Sequence, residues 1–177
     1  MITKNSAVQN DESEYDFRSA FWGMTRDGVK HSETRKPESE SASHLSYKDR
    51  VLELDAVVGY HFIDDSLVEA GYAFRDNYDC EGLYIVQYGK IKDHLSVIFG
   101  NPILDEDINT VFTNSEGEEE QELESLMLLT EWLTDRSIIR MILMGDADRC
   151  EFGVLHKSRG HIHVIKDTER SVRWGIN

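Results

Sequence analysis

Cysteine and proline are almost missing from this chain, with two of each among 177 residues. Cys80 and Cys150 lie far apart and in no Cys-x-x-Cys spacing, which excludes a disulfide framework and a cysteine zinc site. Long apolar runs are missing too: residues 1–16 hold nothing like a secretory signal, and nowhere do 18 uncharged apolar residues follow one another. The expectation is a soluble cytoplasmic protein with no membrane partner. Basic charge is also scarce, 19 Lys and Arg standing against 34 Asp and Glu, a formal net charge of −15. Phosphate backbones and anionic lipid surfaces are repelled by such a chain, so direct nucleic-acid binding is not expected. There is no Gly-x-Ser-x-Gly elbow, no His-Glu-x-x-His and no glycine-rich phosphate loop. Hence no catalytic residue, no cofactor and no enzymatic activity are assigned.

What remains suits one packed unit. Hydrophobic residues make up 40% of the chain and charged residues 30%, at a mean hydropathy of −0.48, enough to build one core in a domain of this length. Residues 1–16 are polar and read as an arm, residues 17–166 as a single α+β domain, and residues 167–177 as a tail. Phe17, Phe21 and Trp22 precede Gly23, and Thr25 offers an N-cap for a helix running to about Arg35, closed off by Pro37. The apolar period then falls to two, giving strands over Leu45 to Asp55, Val57 to Ile63 and Leu67 to Arg75, the last two joined by an Asp64-Asp65-Ser66 turn. Tyr84, Tyr88, Ile91, Leu95, Ile98 and Phe99 recur at helical spacing from Glu81 to Phe99, with Gly100 and Pro102 as a stop. Three more strands follow over Leu126 to Trp132, Ser137 to Met144 and Cys150 to Lys157, and a last over His161 to Lys166. The expected fold is therefore an antiparallel sheet of about six strands with two main helices packed on it, in an order that suggests a twofold helix and meander repeat.

Several residues are candidates for function. His156, His161 and His163 form the densest histidine group, and His161 and His163, alternate on a strand, share a side from which a metal could be held. An adjoining Ser158-Arg159-Gly160 turn argues against a closed ligand shell, so no metal is assigned. The pairs Asp64 with Asp65 and Asp146 with Asp148 are explained by turn chemistry. Glu116, Glu118, Glu119, Glu120, Glu122 and Glu124 crowd one segment that like charge keeps extended and wet. Trp22 and Trp132 flank regular elements and read as core, whereas Trp174, among Arg170, Arg173 and Gly175, reads as a contact residue or as a tail packed back on the sheet.

The stretch Phe17 to Val29, FRSAFWGMTRDGV, resembles the aromatic, Trp-Gly-Met-Ser/Thr helix opening of a group of uncharacterised bacterial proteins, many of them lipoproteins. Leu67 to Phe74 (LVEAGYAF), Leu95 to Pro102 (LSVIFGNP) and Leu129 to Leu143 (LTEWLTDRSIIRMIL) are similar to later segments of that group, and Cys150 to Ser158 to its hairpin return. The resemblance implies a β-lactamase-inhibitor-like fold, helices on an antiparallel sheet whose open face binds another protein. It implies no catalytic residues. A noncatalytic, acidic protein-binding module of inhibitor or immunity type is the leading expectation, its partner a basic protein and its contacts Glu118, Glu119, Glu120, Glu122 and Trp174. Two alternatives stand beside it, a nucleic-acid mimic that blocks a DNA- or RNA-binding protein, and a metal-binding or enzymatic protein using the three histidines.

Overall fold

The computed structural model describes residues 15–78, 81–107, 110–112, 123–145 and 150–161. Thr25 caps helix α1 (Arg26–Ser32), its side chain accepting from the Gly28 backbone N–H, and Asp27 in the first turn complements the helix dipole. This helix is shorter than the sequence suggests. Its carboxyl end is taken by Glu33, whose backbone N–H returns to the Val29 carbonyl. A two-residue strand β1 (Ser39–Glu40) and the long strands β2 (His44–Val51), β3 (Leu54–Ile63) and β4 (Ser66–Phe74) form the first meander.

Helix α2 (Glu81–Phe99) has the bounds that its periodicity predicts. After it come β5 (Leu104–Asp107), β6 (Thr110–Phe112), β7 (Leu123–Leu133), β8 (Ser137–Gly145) and β9 (Cys150–Ser158), then a single 3-10 turn, Arg159–His161. All pairings are antiparallel, in the order β1-β2-β3-β4-β9-β8-β7-β5, with β6 sharing the β7 edge that β5 also uses. Among the described residues the fold is α+β with one antiparallel sheet and two α-helices. The strands there number nine rather than about six, because β1, β5 and β6 are too short or too polar to carry a period.

Two boundaries differ from expectation for identifiable reasons. Leu52 and Glu53 both take positive φ, 49° and 70°, and break the expected Leu45 to Asp55 strand into a β2–β3 hairpin. Two consecutive left-handed residues make the turn whose twist suits a hairpin, but Leu and Glu do not advertise it. Asp64 and Asp65, at 50° and 59°, form the same kind of turn from residues that do. The expected strand from His161 starts instead inside the 3-10 turn, and the rest of its span lies outside the described residues.

The strand order reads the same from either edge: each half is a helix followed by a meander, and the halves meet where β4 pairs with β9. At that seam Tyr72 pairs with Val154, flanked by Gly71 opposite Leu155 and Gly153 opposite Ala73. Both glycines are required by close approach. A Cβ at Gly71 would fall on the carbonyl oxygen of Val154, and one at Gly153 would lie 2.8 Å from that of Tyr72.

Both helices pack on one side of the sheet. Under α1, Val29 meets Leu45, Tyr47, Val58, Tyr60 and Phe62, joined by Phe17. Under α2, Tyr84, Tyr88, Ile91 and Leu95 meet Trp132, Ile139, Met141, Leu143, Phe152 and Val154, each buried side chain contributing about 1.5–3 kcal/mol. Trp132 is core as expected, its indole N–H donating 3.1 Å to the Gly100 carbonyl. Trp22 is only half-buried. It is a tether: its indole N–H donates 2.9 Å to Ser137 Oγ, its backbone N–H to Asp16, and Asp16 pairs with Arg136 at 2.7 Å. Ile98 also departs from expectation, standing exposed on the outer side of α2.

Candidate functional site

Because opposed residues of antiparallel strands share a side, register propagates one face across the whole sheet. Opposite the helices lie three successive rows. The first runs Leu129, Ile142, Gly153, Ala73, Val57, Lys48; the second Glu131, Arg140, Leu155, Gly71, Gly59, Ser46; the third Leu133, Ile138, Lys157, Glu69, His61, His44. Among the described residues no helix packs on this side.

The face has two unlike halves. Over β7, β8 and β9 it is apolar and partly open, with Leu133 at 44% and Met144 at 42% exposure beside half-buried Leu129, Ile138, Ile142 and Leu155. An ion pair lies within it: Glu131 receives both Arg140 Nε and Nη2, at 2.8 and 2.7 Å. Over β2, β3 and β4 it is small and polar. Glu69 pairs with Lys157 at 3.4 Å, and His61 stands opposite His44. Burial, then the neighbouring His61, holds the His44 imidazole below its ordinary value.

The helix side holds two polar networks, each satisfied internally. Arg18 donates to Asp49 at 2.8 Å and pairs with Glu33 at 3.1 Å, while the Tyr60 hydroxyl donates to Glu33. Burial and that carboxylate push the Tyr60 phenol far above its usual range. Beneath α2, Tyr88 and Thr130 exchange a 2.7 Å hydrogen bond, Thr130 donates 2.9 Å to Asp105, and Lys92 closes the chain on Asp105 at 3.0 Å. Burial raises the Tyr88 phenol to about 12, and Lys92 with Thr130 lowers Asp105. A shallow cleft of about 300 Å³ lies beside this chain, lined by Ile85, Tyr88, Gly89, Lys92, Asp105 and Leu128 among others.

The sequence candidates separate. His156 lies on the helix side, buried between Phe17 and Phe99, with ring centroids 5.0 and 5.8 Å away. Its Nδ1 has no hydrogen-bond partner, and burial takes its pKa down to about 3. His161 sits in the 3-10 turn with Nδ1 3.0 Å from Ser158 Oγ, and His163 lies outside the described residues. His156 and His161 are not brought together, and among the described residues no three His, Cys, Asp or Glu side chains gather as a metal would need. Glu118, Glu119, Glu120, Glu122 and Trp174 also lie outside the described residues. Glu124, expected in the same wet loop, is part of β7, where it pairs with Val111.

Sequence reasoning missed the apolar outward row. Its signal is there in β8, Ser-Ile-Ile-Arg-Met-Ile-Leu-Met, which is apolar on alternate and intervening positions alike and so has more than one face to bury. No described helix is long and apolar enough to cross a membrane. No protein-family model, no curated protein and no solved structure matches this chain, so the likeness read in its motifs rests on those motifs alone.

Proposed function

We propose that this chain is a noncatalytic protein-binding module of inhibitor or immunity type, working inside the cell and taking a basic protein as its partner. The observation that carries the reading is the outward sheet face over β7, β8 and β9, where Leu133 and Met144 stand exposed beside Leu129, Ile138 and Ile142. Exposed apolar side chains gathered on one face, here on either side of the Glu131–Arg140 pair, are a normal place for another protein to dock. The net charge of −15 supplies the long-range attraction that speeds capture of a basic partner and disfavours an acidic one. Glu118, Glu119, Glu120, Glu122 and Trp174 remain its proposed rim contacts. The β-lactamase-inhibitor-like resemblance supports the same use of an open sheet face.

The reading is tested by capture from the native host with three baits: the wild type, the double variant Leu133→Asp with Met144→Asp, and the four glutamates changed to Gln. The expected result is one basic protein held stoichiometrically by the wild type, released by salt, and bound at least tenfold more weakly by the apolar-face variant, a loss of ~1.4 kcal/mol. Recovery of no partner, or equal recovery by all three baits, ends the proposal.

A further inference from the structure

Helix α2 is apolar on two opposite sides. Tyr84, Tyr88, Ile91 and Leu95 face the sheet and are buried. At about 100° per residue, Leu83, Val86, Lys90, Asp93 and Val97 fall on one line along the other side, at the alternating spacing of three and four by which one helix meets another. All five are exposed, Leu83 at 45%, Val86 at 52% and Val97 at 87%. Lone exposed apolar side chains are ordinary, but three on one line of a helix make a contact strip. The two charges in the middle of the strip are uncommitted. Among the described residues neither Lys90 nor Asp93 has an ion-pair partner, whereas the neighbouring Lys92 is held by Asp105 at 3.0 Å.

We propose that this strip is the contact by which two copies of the chain associate, their α2 helices antiparallel across a two-fold axis. The order of charged and apolar groups selects both the occupant and its direction. Laid parallel, the strips would set Lys90 on the partner's Lys90 and Asp93 on the partner's Asp93, like charge on like. Laid antiparallel with Lys90 facing the partner's Asp93, the axis generates the same ion pair a second time. That register also places Val86 against the partner's Val97, and Leu83 against the partner's Gly100, where no side chain obstructs it. A strip complementary to itself in this way is a site for a second copy rather than for an unlike protein, and its central charges fix the register. The 19-residue helix is about 28 Å long. A single helix pair of that length lies at the small end of specific interfaces, so the dimer is reversible, with a dissociation constant on the order of 10–100 μM. The docking face over β7, β8 and β9 lies on the other side of the sheet and stays open in both copies.

The test uses the full chain, untagged and alone, in sedimentation equilibrium at physiological ionic strength, where the repulsion between two chains of net charge −15 is screened beyond about 8 Å. The wild type is expected to pass from monomer to dimer as its concentration rises. Lys90→Asp and Asp93→Lys, each alone, oppose like charges and are expected to weaken the dimer about tenfold or more, as is Val86→Glu with Val97→Glu. An equimolar mixture of Lys90→Asp with Asp93→Lys sets every carboxylate against an ammonium. It is expected to associate as tightly as the wild type, which also shows that both variants are folded. The Leu133→Asp, Met144→Asp variant is expected to dimerise unchanged, so failure of the docking reading leaves this result standing. The proposal is overturned by a wild type that stays monomeric to about millimolar concentration, by α2 variants that dimerise like the wild type, or by a mixture that regains nothing. Loss of the dimer in the Leu133→Asp, Met144→Asp variant also overturns it, by assigning the contact to the sheet face.

Discussion

Phe17 packs edge-on against His156, ring centroids 5.0 Å apart and planes at 65°, joining the segment before α1 to a central strand of the opposite half of the sheet. Phe99, at the end of α2, approaches the same imidazole at 5.8 Å. One buried histidine is thus the meeting point of both helical layers, and it is surrounded by rings rather than by carboxylates.

Acid should therefore weaken the fold through this residue. Above pH 6.5 His156 is neutral folded or unfolded and contributes no pH dependence. Between 6.5 and about 3, its pKa in the folded chain, the unfolded chain binds a proton that the native state refuses, so stability falls as pH falls, by ~1.4 kcal/mol per unit. Urea unfolding of the wild type and His156→Leu should show their difference shifting by ~2 kcal/mol in favour of the variant between pH 6.5 and 5. A constant difference would show that the imidazole is not held neutral.

The seam between the halves should tolerate no added methyl. Gly71→Ala places a carbon on the Val154 carbonyl oxygen and Gly153→Ala one 2.8 Å from that of Tyr72. Each is expected to lower the unfolding free energy, by ~3 and ~2 kcal/mol respectively, read as a drop in urea midpoint at unchanged slope.

Gly89 predicts the opposite sign. It lies inside α2, where a Cβ would meet nothing within 4 Å. Gly89→Ala should stabilise by ~0.5–1 kcal/mol through helix propensity alone, visible as a higher thermal midpoint.

The two described tryptophans each donate an indole hydrogen bond but differ in depth, and their substitutions should differ accordingly. Trp132→Phe leaves a cavity and strips the Gly100 carbonyl of its donor, a loss of ~3 kcal/mol. Trp22→Phe removes one half-buried hydrogen bond to Ser137, a loss of ~1 kcal/mol. Chemical denaturation of both variants orders them.

Much of the architecture is legible in the sequence because it is carried by repetition. Tyr84, Tyr88, Ile91 and Leu95 return at helical spacing and mark α2 to its ends, while Leu45, Tyr47, Val58 and Tyr60 alternate and mark strands. What depends on single backbone states is not legible. Leu52 and Glu53 turn the chain with side chains that carry no turn signal, and β5 is Leu-Asp-Glu-Asp, a short polar strand that among the described residues is paired on one side only. His156 shows a further limit. Its membership of the group with His161 and His163 invites a metal reading, and only the pairing of β9 with Ala70 and Ile139 reveals that it faces inward. The outward apolar row was hidden for a similar reason, since β8 reads as simple hydrophobicity until register divides it between two faces.

The placement of β9 bears on how the protein is made. The last described strand in the chain occupies the middle of the sheet, paired on both sides, while β4 waits with one edge open. A ribosome releasing this chain from its amino end presents a finished first meander whose inner border stays unpaired until more than half of the remaining sequence has emerged. Such contacts between distant segments are slow to form, and an exposed strand border invites association with other chains in the interval. Messages cut short before Cys150 should accordingly yield insoluble product rather than a smaller folded protein.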